Sequence, residues 1–189
     1  MVGLDCWKSD APGGPTVEIK FDSILGLPAH PLFAHGPVVL VPLTAIAAVV
    51  CALSRGWRQR LGWLVVGLAF VTVVSVDLAI GSGEAFEESV RESELVEDHA
   101  GTSDSLLPLT AGLFVAVVAL VAADRAFSRG SEDGHPGSSA SRRWVIAGLA
   151  AATIVTASVS TVWIYRSGHS GAKAVWDDPD QPMLDGDGD

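Results

Sequence analysis

The chain has 189 residues, of which 49% are hydrophobic and only 18% charged, less charge than a soluble domain of this length carries. Its formal net charge of −10 argues against a nucleic-acid partner, whose phosphates it would repel. Mean hydropathy is positive and the apolar residues fall in blocks, so the expected class is an all-α membrane protein in contact with a lipid bilayer.

Residues 1–26 are polar, contain Gly13-Gly14-Pro15 and lack the apolar stretch of a signal peptide, so they read as a loosely ordered tail. Four apolar segments follow, at about 32–54, 61–80, 106–123 and 144–165. Each is about the length that a helix rising ~1.5 Å per residue needs to cross a ~30 Å hydrocarbon layer. None has Lys or Arg in its interior. Helices are expected rather than strands, because lipid offers no water to an open sheet edge. The spacing predicts one four-helix transmembrane domain over 27–176, followed by an acidic, Gly- and Pro-containing tail at 177–189 that is expected to be disordered. Residues 94–104 are expected to add a polar turn or two before the third helix, with Pro108 kinking it. Gly148 with Ala152, and Ala147 with Ala151, stand four apart, either as small residues for helix contact or simply as residues common in membrane helices. Cys6 lies in the tail and Cys51 near the far end of the first segment, so neither a disulfide nor a Cys metal site is expected.

The connections carry opposite charge. The first holds Arg55, Arg58 and Arg60, and the third holds Arg125, Arg129, Arg142 and Arg143 against Asp124, Glu132 and Asp133. The second, over 81–105, is dominated by Glu and Asp. Positive loops stay in the cytoplasm, which predicts both termini on the extracytoplasmic side. Trp57, Trp63 and Trp144 would mark the inner interface, and Trp163 and Tyr165 the outer one.

On this topology four of the five histidines, His30, His35, His99 and His169, fall in one layer at the outer face. His135 alone lies inside, in a Gly- and Ser-rich loop. Asp77 sits about one turn from the outer end of the second helix, where an intramembrane carboxylate is expected to face the protein and find a partner. Pro31 suits a first helical position, which would leave His30 in the preceding turn and let it share a site with His35. Imidazoles hold Zn, Cu, Fe and haem iron, and a ligating ring commonly donates its second N–H to a carboxylate such as Asp77. The set therefore reads as candidate ligands for a transition metal ion or haem. The same residues also read as a hydrogen-bond network that fixes helix ends. No phosphate-binding loop, nucleophile triad or Cys pair is present.

The pattern Leu27-Pro28-x-His30-Pro31-Leu32-x-x-His35-Gly36-Pro37 resembles the opening of the Domain of Unknown Function 2231 family, four-helix bacterial membrane proteins. Asp77 and His99 match that family's recurrent Asp and His, and Gly168-His169-Ser170-Gly171 through Val175-Trp176 resembles its closing stretch. The likeness covers about residues 25–176 and implies a multi-pass protein of the bacterial cell membrane. Gly36 departs from it, an aromatic being commoner there, which implies a looser mouth to the first helix. The family has no assigned activity. Some relatives look fused or adjacent to Rieske-type iron–sulfur domains, which implies an electron-transfer setting with an iron–sulfur protein as redox partner.

The reading is thus a membrane bundle binding a metal or haem through His30, His35, His99 and His169, with Asp77 as ligand or acceptor, for electron transfer or metal handling. The alternative is a non-catalytic accessory subunit in which the same groups form a structural network. A transporter with Asp77 as its proton site ranks third, because one embedded charge among four helices makes a thin pathway.

Overall fold

A computed structural model gives the fold and describes residues 23–24, 27–87, 94–132 and 139–176. A two-residue antiparallel pair, β1 (Ser23–Ile24) with β2 (Leu27–Pro28), leads into five helices. These are α1 (Ala29–Leu53), α2 (Arg55–Glu87), α3 (Glu94–Asp104), α4 (Leu106–Glu132) and α5 (Ser139–Trp176). Four of them, α1, α2, α4 and α5, are long and apolar enough to span a membrane. They form an up-and-down bundle in which α1 packs on α2 and α5, and α4 packs on α2 and α5. The short polar α3 lies mainly against α5.

The spans outlast the hydropathy blocks that mark them. At ~1.5 Å per residue the 33 residues of α2 reach about 50 Å, well beyond the hydrocarbon layer. The basic connection at 55–60 is helical, and Ser54 alone separates α1 from α2. A break at Ser105, rather than a kink at Pro108, separates α3 from α4. Pro108 then sits in the first turn of α4, where its missing N–H removes no intrahelical bond.

Buried positions recur at spacings of three and four, the seam of helices that meet at shallow angles. On α2 the seam is Arg58, Gly62, Val65, Ala69, Thr72 and Val76; on α5 it is Thr153, Ala157, Ser160, Ile164 and Ser167. These residues build two apolar clusters. One gathers Ala45, Ala48, Cys51, Val65, Leu113, Val117, Val121 and Ala157 toward the Arg-bearing end. The other gathers Val41, Val76, Leu106 and Ile164 toward the acidic end. Between them, in sequence position, each spanning helix contributes one buried hydroxyl: Thr44, Thr72, Thr110 and Ser160, none more than 2% exposed. Thr44 and Thr72 meet at 2.7 Å, and Thr72 donates to the Leu68 carbonyl. Thr110 bonds back to Leu106, whereas Ser160 Oγ has no hydrogen-bond partner among the described residues.

The α5 pairs Ala147/Ala151 and Gly148/Ala152 do not supply bundle contacts. All four face outward, and a Cβ built on Gly148 would meet nothing. Gly36 also departs from expectation. A Cβ there would run into the Ser75 hydroxyl, so this glycine tightens the approach of α1 to α2 instead of loosening it.

The Arg-bearing end is closed by Arg58 and Asp124, which are 4% and 2% exposed. Arg58 Nη2 lies 3.4 Å from Asp124 Oδ1, and Arg55 Nε lies 3.8 Å from the same oxygen. Arg58 Nη1 donates to the carbonyls of Cys51 (2.8 Å) and Ala52 (3.2 Å), two of the last acceptors of α1. One guanidinium therefore caps α1 and ties α2 to α4. Arg58→Met would leave a buried carboxylate without its nearest cation, and it is expected to cost about 3–5 kcal/mol. Thermal unfolding in detergent should show a large drop for this variant, partly restored in the double variant with Asp124→Asn. An unchanged midpoint would remove the pair from the fold's support.

Candidate functional site

The bundle brings the candidate residues to one end, where the described ones differ in the direction they face. His30 lies inside α1, not in a turn before it, and its side chain is outside the described set. His30 and His35 are therefore about 140° apart around the helix axis at ~100° per residue. His35 is exposed. His169 is exposed on α5, its ring parallel to that of Tyr165 one turn earlier (centroids 6.4 Å apart, 6° between planes). Asp77 faces outward as well. Its helical face of Gly67, Phe70, Val74 and Gly81 is exposed, and Asp77 has no hydrogen bond or ion pair to a described residue. Among the described residues, no three His, Cys, Asp or Glu side chains stand close enough to hold a metal ion. His135 and Cys6 lie outside the described residues.

His99 is the histidine built into the structure. It is half-buried on α3, which turns it toward α5. Its Nδ1 lies 3.1 Å from the Ser167 carbonyl oxygen and 3.2 Å from Ser170 Oγ. A carbonyl only accepts, so Nδ1 carries a proton. Ser170 Oγ spends its own proton on the Ser167 carbonyl at 3.0 Å and so accepts from the ring. In the neutral imidazole the basic nitrogen is then Nε2. One turn on from His99, Ser103 Oγ meets Ser167 Oγ at 2.9 Å, so two residues of α3 grip one residue of α5. The ring also rests on Gly171, where a Cβ would come within 2.9 Å of Cε1.

A family model described as "Predicted membrane protein (DUF2231)" matches residues 26–179. The chain belongs to the DUF2231 family. No curated protein and no solved structure matches it. In this DUF2231 chain the closing stretch divides by helix phase. Ser167, Ser170 and Gly171 serve His99, while Gly168 and His169 point away.

Sequence reasoning missed Ser167 and Ser170 as the partners of His99, the Ser103–Ser167 contact beside them, and the buried Arg58–Asp124 pair. The signal for the pair was present: Asp124 continues the seam of Leu113, Val117 and Val121, and Arg58 precedes Gly62 and Val65 on theirs. His99→Ala is expected to loosen α3 from α5 at a cost of about 1–3 kcal/mol, from the lost hydrogen bonds and the buried serines left behind. Hydrogen exchange should show amides of 97–104 losing protection while those of α1 keep theirs. Equal protection in both proteins would deny His99 this clamping role.

Proposed function

We propose that this chain is a non-catalytic membrane subunit, a four-helix scaffold whose acidic end is closed by the His99 clamp. The observation that carries this reading is the use His99 makes of its ring. Nδ1, Ser103 and the Gly171 surface are all engaged in holding α3 to α5. The outward positions of Asp77 and His169 add support, since neither turns toward a shared centre. By the distribution of arginines, the Arg-bearing end is cytoplasmic and both termini lie outside.

A second reading keeps a metal ion or haem, held by His30, His35, His99 and His169 with Asp77 as acceptor, and an iron–sulfur protein as redox partner. One observation favours it. An imidazole that donates Nδ1–H to a backbone carbonyl makes the hydrogen bond typical of a histidine that ligates through its other nitrogen. The described side chains do not by themselves form a set of ligands that fits a single ion.

An absorption spectrum with elemental analysis, on protein purified in mild detergent from its native membrane, separates the two. The scaffold reading expects no Soret band and no stoichiometric metal, with His99→Ala lowering thermal stability and leaving metal content unchanged. A Soret band that shifts on reduction, or stoichiometric Zn, Cu or Fe lost in His99→Ala, would replace the scaffold with the cofactor reading.

A further inference from the structure

The Arg-bearing end holds more positive charge than the fold uses, with seven arginines between positions 55 and 60 and between 125 and 143 against Asp124, Glu132 and Asp133. Asp124 is buried there and shared by Arg58 and Arg55. Arg60, Arg125, Arg129, Arg142 and Arg143 form no ion pair with a described carboxylate. What orients Arg125 and Arg142 is neutral. The Arg125 guanidinium lies 5.5 Å over the Trp63 ring and donates to the Gln59 carbonyl at 3.1 Å. Arg142 lies 6.0 Å over Phe127. Arg55 Nη2 reaches the Ser128 hydroxyl at 3.4 Å. Around the same end Trp57, Trp63 and Trp144 are 53%, 52% and 79% exposed, the position of residues that sit at the headgroup level of a bilayer.

We propose that this end binds the phosphates of anionic phospholipid headgroups, with Arg125 and Arg142 as its centre. A guanidinium pairs with phosphate oxygens through two parallel N–H bonds, and one already laid on an aromatic face loses less freedom in doing so. The chain as a whole carries −10, so its net charge would repel an anionic surface. Attraction is local to this end because screening acts within ~8 Å at physiological ionic strength, while the acidic end lies several times farther away along α2. A zwitterionic headgroup has its own ammonium beside the phosphate and gains less from the surplus arginines.

The test is native mass spectrometry of the full chain taken from nanodiscs of equal phosphatidylglycerol and phosphatidylcholine. The retained lipid should be enriched in phosphatidylglycerol. The enrichment should fall about fivefold for each arginine removed in Arg125→Gln and Arg142→Gln. Arg125→Lys should keep part of it, since it preserves the charge and loses the fork. Arg166→Gln, at the acidic end, should keep all of it. Circular dichroism of each variant checks that the helices persist. No preference in the unaltered protein, or an equal loss in Arg166→Gln, would overturn the proposal. Displacement of the retained lipid by inorganic phosphate would assign the arginines to a free anion and overturn it too.

Discussion

Arg58 reaches from the first turn of α2 to two carbonyls at the end of α1 and to a carboxylate on α4. The rest of the bundle depends on that reach. A helix end at the edge of lipid leaves carbonyls without partners, and a loop or water usually supplies them. Here the guanidinium supplies them, so Ser54 alone suffices as a connection. So short a link holds α1 and α2 side by side and sets their register. Thr44 then meets Thr72, and farther along Gly36 meets Ser75. Asp124 makes the arrangement tolerable, because an unpaired buried guanidinium would favour solvent over helix ends.

Along its axis the bundle alternates polar and apolar layers. The Arg58–Asp124 pair is followed by the first apolar cluster, then the four hydroxyls, then the second cluster, then the serines around His99. A hydroxyl that bonds within its own helix costs little in lipid, and the Thr44–Thr72 contact adds a direction that apolar packing lacks. Polar layers of this kind fix which residues stand opposite each other, since a shift by one helical turn would set a hydroxyl against a methyl. The two apolar clusters lie between the polar layers, and Thr153, buried on α5 one turn from Ala157 of the first cluster, turns its hydroxyl back to the Leu149 carbonyl.

Much of the architecture was legible because lipid imposes it. Block length gave four spans, and the alternation of basic and acidic connections gave their up-and-down order. The ends were less legible. Hydropathy stops where the hydrocarbon stops, while helices such as α2 and α5 continue into water, held by backbone bonds that hydropathy does not record. Spacing leaves the small residues of α5 open between helix contacts and residues merely common in membrane helices, because it does not say which side of a helix is covered. Ala147 and Gly148 turned out to lie on the uncovered side, and Thr153 and Ala157 on the covered one.

The same distinction governs the candidate site. Charge and hydropathy place a residue in depth, and by depth His35, His99, His169 and Asp77 belong together. Direction around the helix comes from a different source, the three-and-four spacing of the residues that pack. Asp77 follows Val76, a seam position, and so is turned about 100° away from the interior. His169 lies two past Ser167 and one before Ser170, both on the inner side, and so faces out. His99 is inward because Ser103, four residues on, packs on the same α5 surface. An outward Asp77 is affordable at this depth, one turn from the end of the apolar stretch, where a carboxylate reaches the headgroup layer and the cost of burial in lipid falls. Shared depth therefore gathers candidates, and helix phase decides which of them turn inward; in this chain the phase joins His99 to serines and turns Asp77 and His169 outward.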